Sequence, residues 1–168
     1  MDEPFSNLDE WMKEEVRDDL KKILRELNAT VLFVTHHAAD AISFADKIMI
    51  MDNGEIIQQG PSNEIIDSPV NSKIAGIFGK VNLFSSEELK NLFGIERSSG
   101  NYFVKPEHFE IEKTNKWIVS ECIYHGNYYD TDLLFNEKAI HVHLNIPLTK
   151  DELIGIRPVV KNIYPEQE

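Results

Sequence analysis

A single cysteine, Cys122, leaves this 168-residue chain unable to form an internal disulfide, which suits a reducing compartment. Basic residues are scarce as well: 17 Lys and Arg stand against 29 Asp and Glu, a net charge of -12. Nucleic-acid binding relies on clustered cations that release counterions, and an anionic lipid surface makes the same demand. Both are therefore poor partners. No apolar run approaches the roughly 20 residues needed to cross a bilayer, and the first residues lack a basic, apolar leader. A role at a membrane would have to come through a partner. The chain has no internal repeat and no low-complexity tract. It also lacks G-x-x-x-x-G-K-[S/T], since Gly79-Lys80 is followed by Val81 without the upstream glycine spacing. That loop's backbone amides and lysine bind phosphates. Without it the chain has no seat of its own for a nucleoside triphosphate.

What is present is the chemistry that would act on such a ligand. Met1-Asp2-Glu3-Pro4-Phe5-Ser6-Asn7-Leu8-Asp9 places two adjacent carboxylates before a proline and a polar turn, and Thr30-Val31-Leu32-Phe33-Val34-Thr35-His36 ends an apolar run on a histidine. In metal-assisted phosphoryl transfer, one acid can hold a magnesium ion through water while its neighbour orients the attacking water. The D-E-P-[F/L]-S-x-L-D pattern resembles the Walker B and D-loop segment of ABC transporter ATPases, and the second run resembles the strand that carries their switch histidine. The likeness continues from Ala41 to Gly60, through Pro61, Glu64-Ile65 and Ser68-Pro69, which resemble the tail of importer ATPases. Tyr102-Phe103-Val104-Lys105-Pro106-Glu107 looks like the opening of the accessory β-domain called TOBE. Two departures stand out: His37 occupies a position usually held by Asp, and Ser98-Ser99-Gly100-Asn101 is no substitute for the L-S-G-G-Q signature.

The resemblance implies the C-terminal portion of an importer ATPase. Asp2 would hold Mg²⁺, Glu3 would activate water, Ser6 and Asp9 would belong to the D-loop at the dimer seam, and His36 would sense the γ-phosphate. The fold implied is an α/β fragment, the C-terminal part of a P-loop NTPase domain, followed by an all-β, OB-like TOBE domain, α+β overall. The expected boundaries are 1–80 for the nucleotide-binding part, 81–100 for a linker with a short helix, and 101–168 for the regulatory β-domain. ATP and Mg²⁺ are expected in the full-length parent and no cofactor for this chain alone, which should not hydrolyse ATP. The parent would be cytoplasmic, peripheral to the inner membrane through permease subunits. By analogy the solute classes are iron(III), spermidine/putrescine, sulfate or maltose, the first two slightly favoured. The alternative is a stand-alone regulatory or interaction module, binding a small ligand or a protein, whose catalytic residues are vestigial.

Periodicity supplies the local elements. Met12, Val16, Leu20, Ile23, Leu24 and Leu27 recur at helical spacing after an Asp9 N-cap, with Asn28 as the stop and Glu14, Glu15, Arg17, Asp18, Lys21 and Lys22 on a solvated face. Thr30 to Thr35 reads as a strand covered on both sides. A short helix to about Ala45 and a hairpin turning at Asn53-Gly54 follow. Helices are expected near Ser62 to Asp67, Ser72 to Phe78 and Ser86 to Phe93, the last ended by Gly94. The strands expected beyond are Tyr102 to Val104, Phe109 to Glu112, Trp117 to His125, Asn127 to Phe135, Ala139 to Ile146 and Val159 to Ile163, with Leu148 to Leu153 as a connection. An apolar strand short of neighbours invites pairing, so a homodimer or other homo-oligomer is expected, or a rearranged N-terminal segment.

Other constellations have plain readings beside the chemical ones. His141 and His143 share one strand face, and Asp130 and Asp132 share another, in a register that sets Asp132 opposite or diagonal to a histidine. Such a set could bind a transition metal, although a polar sheet face explains it too. His36 and His37, adjacent on an extended segment, should point apart and hold no metal. Tyr124, Tyr128 and Tyr129 could wall a small ligand or simply pack, and Cys122 reads as an inert, partly buried thiol.

Overall fold

The computed structural model describes residues 1–6 and 8–167. They divide into two units, Met1–Pro69 and Val70–Glu168. In the first, helix α1 (Glu10–Glu26) starts from Asp9 and stops where Asn28 turns to φ 49. Helix α2 (Ala38–Phe44) leads into strands β1 (Lys47–Asp52) and β2 (Glu55–Pro61), and helix α3 (Ser62–Asp67) closes the unit. The β1–β2 turn has positive φ at both central residues, Asn53 at 48° and Gly54 at 85°. That geometry matches the twist of paired strands, and asparagine and glycine tolerate it.

Thr30 to Thr35 does not form the covered strand expected of it. It makes one isolated parallel bridge, Asp2 with Val34, through Val34 N–H to the Met1 carbonyl and Glu3 N–H to the Val34 carbonyl, both 2.9 Å. Leu32 and Val34 stay exposed. A covered strand needs neighbours over its whole length, and the partner found here is only Met1 to Glu3.

The buried apolar side chains of this unit, among the described residues, are Phe5, Ile48 and Ile65. Phe5, Phe33 and Phe44 form a ring cluster with centroids 5.4–5.6 Å apart. Arg17, expected on the solvated face of α1, is instead buried. Its guanidinium bonds Asp40 of α2 at 2.6 Å and lies 5.7 Å from the centre of the Phe5 ring. Glu14, Glu15, Asp18 and Lys22 of the solvated face are exposed as expected, and so are the apolar Val16 and Ile23. Helical periodicity locates the charged face but does not show that one of its members, Arg17, meets a buried partner.

The second unit opens with helix α4 (Ser72–Phe78), whose N-terminus Asn71 caps by accepting from Ile74 N–H at 3.0 Å. Strand β3 (Asn82–Ser85) runs into helix α5 (Ser86–Phe93), then come β4 (Asn101–Val104), β5 (Phe109–Tyr124), β6 (Tyr129–Phe135), β7 (Lys138–Leu144), β8 (Leu153–Pro158) and β9 (Tyr164–Pro165). All pairings are antiparallel, in two sheets ordered β3-β4-β9 and β7-β6-β5-β8. The molecule is thus mixed α and β with antiparallel sheets. Trp117, Val119, Leu133, Ile140, Val142 and Ile156 are fully buried between these strands, with Phe84 and Leu89 packed among them.

Helix α5 begins with a capping box: Ser85 Oγ accepts from Glu88 N–H at 3.1 Å while Glu88 Oε2 accepts from Ser85 N–H at 2.8 Å. Burial alone would raise the Glu88 pKa, but hydrogen bonds from Lys138 and Ser85 outweigh it and hold the carboxyl below its usual range. Gly94, in the left-handed region at φ 67, ends the helix.

Strand β8 overlaps the expected connection, Leu148 to Leu153, only at Leu153, and no element was expected over the rest of it, which includes Gly155. The reason for Gly155 is tertiary. Between Glu112 and Trp117 the β5–β8 ladder shifts register, and the bulging backbone passes so close that a Cβ at Gly155 would lie 1.5 Å from the Thr114 carbonyl oxygen. Gly155→Ala is therefore expected to destabilise the second unit by about 1–3 kcal/mol, the usual range for overpacking. Urea unfolding followed by the fluorescence of buried Trp117 measures it.

Candidate functional site

The parallel bridge at the start of the chain brings the N-terminal acids to the residues following Val34. Glu3, held at φ 45, accepts through Oε1 from His36 N–H at 3.0 Å and meets His36 Nδ1 at 2.5 Å. Its other oxygen lies 3.4 Å from Thr35 Oγ1. Thirty-two residues of intervening chain thus close on a carboxylate–imidazole pair. The side-chain hydrogen bond from His36 is the main reason the Glu3 carboxyl titrates below its ordinary range, partly opposed by burial and reinforced by the His36 backbone amide.

The other residues singled out from sequence sit around this pair in different ways. Asp2 is exposed and its backbone makes the bridge to Val34. Ser6 Oγ donates to the Glu3 carbonyl at 2.9 Å, closing the turn that Ser6 N–H also makes with that carbonyl at 3.2 Å. Asp9 is the exposed residue before α1, where it makes no side-chain cap.

His37 departs from expectation. Its ring lies against that of His36, centroids 3.9 Å apart, so the two do not point to opposite sides. Alternation holds within a strand, and here the chain leaves extended geometry at once: His37 is already the N-cap of α2, and its N–H bonds Thr35 Oγ1 at 3.0 Å. Glu3, His36 and His37 consequently present ligand atoms within 4.8 Å of one another. The buried Arg17–Asp40 pair, which ties α1 to α2 behind this turn, was missed from sequence. Asp40 Oδ1, 2.6 Å from Arg17, gives no periodic signal because its partner lies 23 residues away.

Chemically, the arrangement is an ionised carboxylate fixed beside an imidazole at an exposed turn. No helix among the described residues is long and apolar enough to cross a membrane.

No family model matches the chain. Curated proteins do. It is 27% identical to the spermidine/putrescine import ATP-binding protein PotA of Ureaplasma parvum, over 93% of this chain and 34% of that protein. It is 32% identical to the sulfate/thiosulfate import ATP-binding protein CysA of Synechocystis, over 86% of this chain and 44% of the relative. The glycine betaine/carnitine/choline transport ATP-binding protein OpuCA of Bacillus subtilis is 42% identical over 51% of this chain and 23% of its own length. The chain thus spans less than half the length of these relatives.

Proposed function

We propose that this chain, whose homologues are the ATP-binding subunits of ABC importers, supplies the water-orienting and γ-phosphate-sensing side of an importer's ATP site. The observation that carries this is the Glu3–His36 pair. A carboxylate fixed by both the amide and the ring of a histidine can hold a water while the imidazole reaches the terminal phosphate. A pKa below the ordinary range makes Glu3 a weak proton acceptor but a persistent negative charge. Its contribution is then chiefly to orient the attacking water, as in phosphoryl transfer generally.

Mg²⁺ fits the remaining acid. Asp2 offers an exposed carboxylate, the hard oxygen donor this ion prefers, and magnesium bound with nucleotide would neutralise charge on the β- and γ-oxygens. Ser6 fixes the turn carrying Glu3, and with Asp9 it would lie at the seam where two subunits close over nucleotide. The antiparallel unit from Val70 onward, with its own buried core, is read as the regulatory TOBE-type domain, and Met1–Pro69 as the end of the P-loop NTPase domain. Permease subunits would be the membrane partners. The relatives are named for polyamine, ferric-ion and sulfate import, which fits a subunit that drives transport without touching the solute.

The test is an ATPase assay on this chain alone and on the same chain joined to an upstream segment carrying a phosphate-binding loop and signature motif from an importer subunit. Phosphate release is expected only from the joined protein. Turnover by the isolated chain would overturn the reading, as would a folded joined protein that binds ATP without hydrolysing it.

A further inference from the structure

We infer that the outer face of the β6–β7 ladder is a divalent transition-metal site built from Asp130, Asp132 and His141, with His143 beside it. The register sets Asp130 opposite His143 and Asp132 opposite His141, so two acid–imidazole rungs stack on one side of the sheet while Thr131 and Val142 between them turn into the core. Asp130, Asp132 and His141 offer ligand atoms within 4.8 Å of one another. His141 Nδ1 is already in close contact with Asp132 Oδ1, and His143 Nε2 stands 4.0 Å from Asp130 Oδ1.

A solvated polar face does not account for two further features. All four side chains are half-buried, the Asp130 side chain only 17% exposed. Moreover Asp130 Oδ1 is buried with no hydrogen-bond partner among the described residues, while its other oxygen is satisfied by Lys80 Nζ at 3.0 Å. A shielded carboxylate oxygen without a partner is costly, and a cation between it and the neighbouring donors removes that cost. Two carboxylates with one or two imidazoles suit Zn²⁺ or Co²⁺. Side-chain rotation alone has to draw the donors in to the roughly 2.0–2.2 Å ligand distances of such ions. Lys80 bears a positive charge at the rim and competes with the ion for Asp130.

Titration calorimetry of the whole chain with Zn²⁺, paired with the absorption of the Co²⁺ adduct, tests this. Binding of one ion per chain is expected. His141→Ala and Asp132→Asn should each weaken it by more than the roughly 10-fold that loss of even an outer partner costs. Lys80→Ala should bind more tightly than the parent, an outcome that misfolding cannot produce. His37→Ala, at the other histidine cluster, should leave the affinity unchanged. No heat from the parent chain at millimolar Zn²⁺ overturns the inference. So does an affinity that survives His141→Ala or disappears with His37→Ala.

Discussion

In a protein where this chain is joined to a phosphate-binding segment, Glu3→Gln is expected to lower the ATP turnover rate by about 10²- to 10⁴-fold, the range for loss of a positioned catalytic carboxylate. The substitution keeps the shape of the side chain and removes its charge. One oxygen remains to accept from His36 N–H, now 3.0 Å from Oε1, so the turn should persist. What disappears is the fixed negative charge that orients water. ATP binding, governed by the joined segment, should change little, so kcat falls while the nucleotide Kd holds. Because His36 holds the Glu3 pKa below its usual range, the carboxylate stays ionised as pH falls through the ordinary glutamate value of about 4.3. The acid limb of the unsubstituted protein, wherever Glu3 sets it, should therefore lie below that value. Steady-state phosphate release across pH, with nucleotide affinity measured separately, checks both halves. A Glu3→Gln variant that turns over at the parent's rate would exclude the role given to this residue.

Glu3 and His36 each stand out in the sequence because each ends a pattern with a local signal, acids before a proline and an apolar run stopped by a histidine, but their contact with one another is not legible there and comes from the fold. The hairpin signal was legible for the same reason, since Asn53-Gly54 needs positive φ at both positions. The caps were not: Asp9 makes no side-chain cap, and the box at the start of α5 is made by Ser85 with Glu88, one residue before the Ser86 expected to open the helix. The features that escaped depend on distant chain. Thr30 to Thr35 has strand composition, yet it pairs only at Val34, because composition says nothing about whether neighbours are at hand. Gly155 gave no signal in the sequence, because what requires glycine there is the Thr114 backbone 41 residues earlier in sequence, within 1.5 Å of a Cβ. Arg17 read as solvated because charge is normally exposed, and only its meeting with Asp40 and Phe5 reverses that.

That burial leads to the second large effect. Asp40→Ala is expected to cost the first unit about 3–5 kcal/mol, the range for removing one partner of a buried ion pair. The side chains of Arg17 and Asp40 are 11% and 4% exposed and meet at 2.6 Å. Without Asp40 the guanidinium would be left in a shielded position where its Nε already lacks a hydrogen-bond partner among the described residues. The loss is large relative to what else holds this unit together. Its buried apolar side chains, among the described residues, are Phe5, Ile48 and Ile65, and full burial of such a side chain contributes about 1.5–3 kcal/mol before any entropy is counted. One unpaired charge therefore offsets roughly two of them, and the unit should open while the second, with its separate core, stays folded. Replacing both partners with apolar residues, Arg17→Met with Asp40→Leu, removes the stranded charge and should recover most of the loss. Amide hydrogen exchange along α1 separates the cases. Protection should fall sharply in Asp40→Ala and return in the double variant, with strands β5 to β8 unchanged in both. If Asp40→Ala leaves α1 as protected as in the parent, the pair does not hold α1 to α2, and Phe5, Phe33 and Phe44 must suffice to keep the Glu3–His36 turn in place.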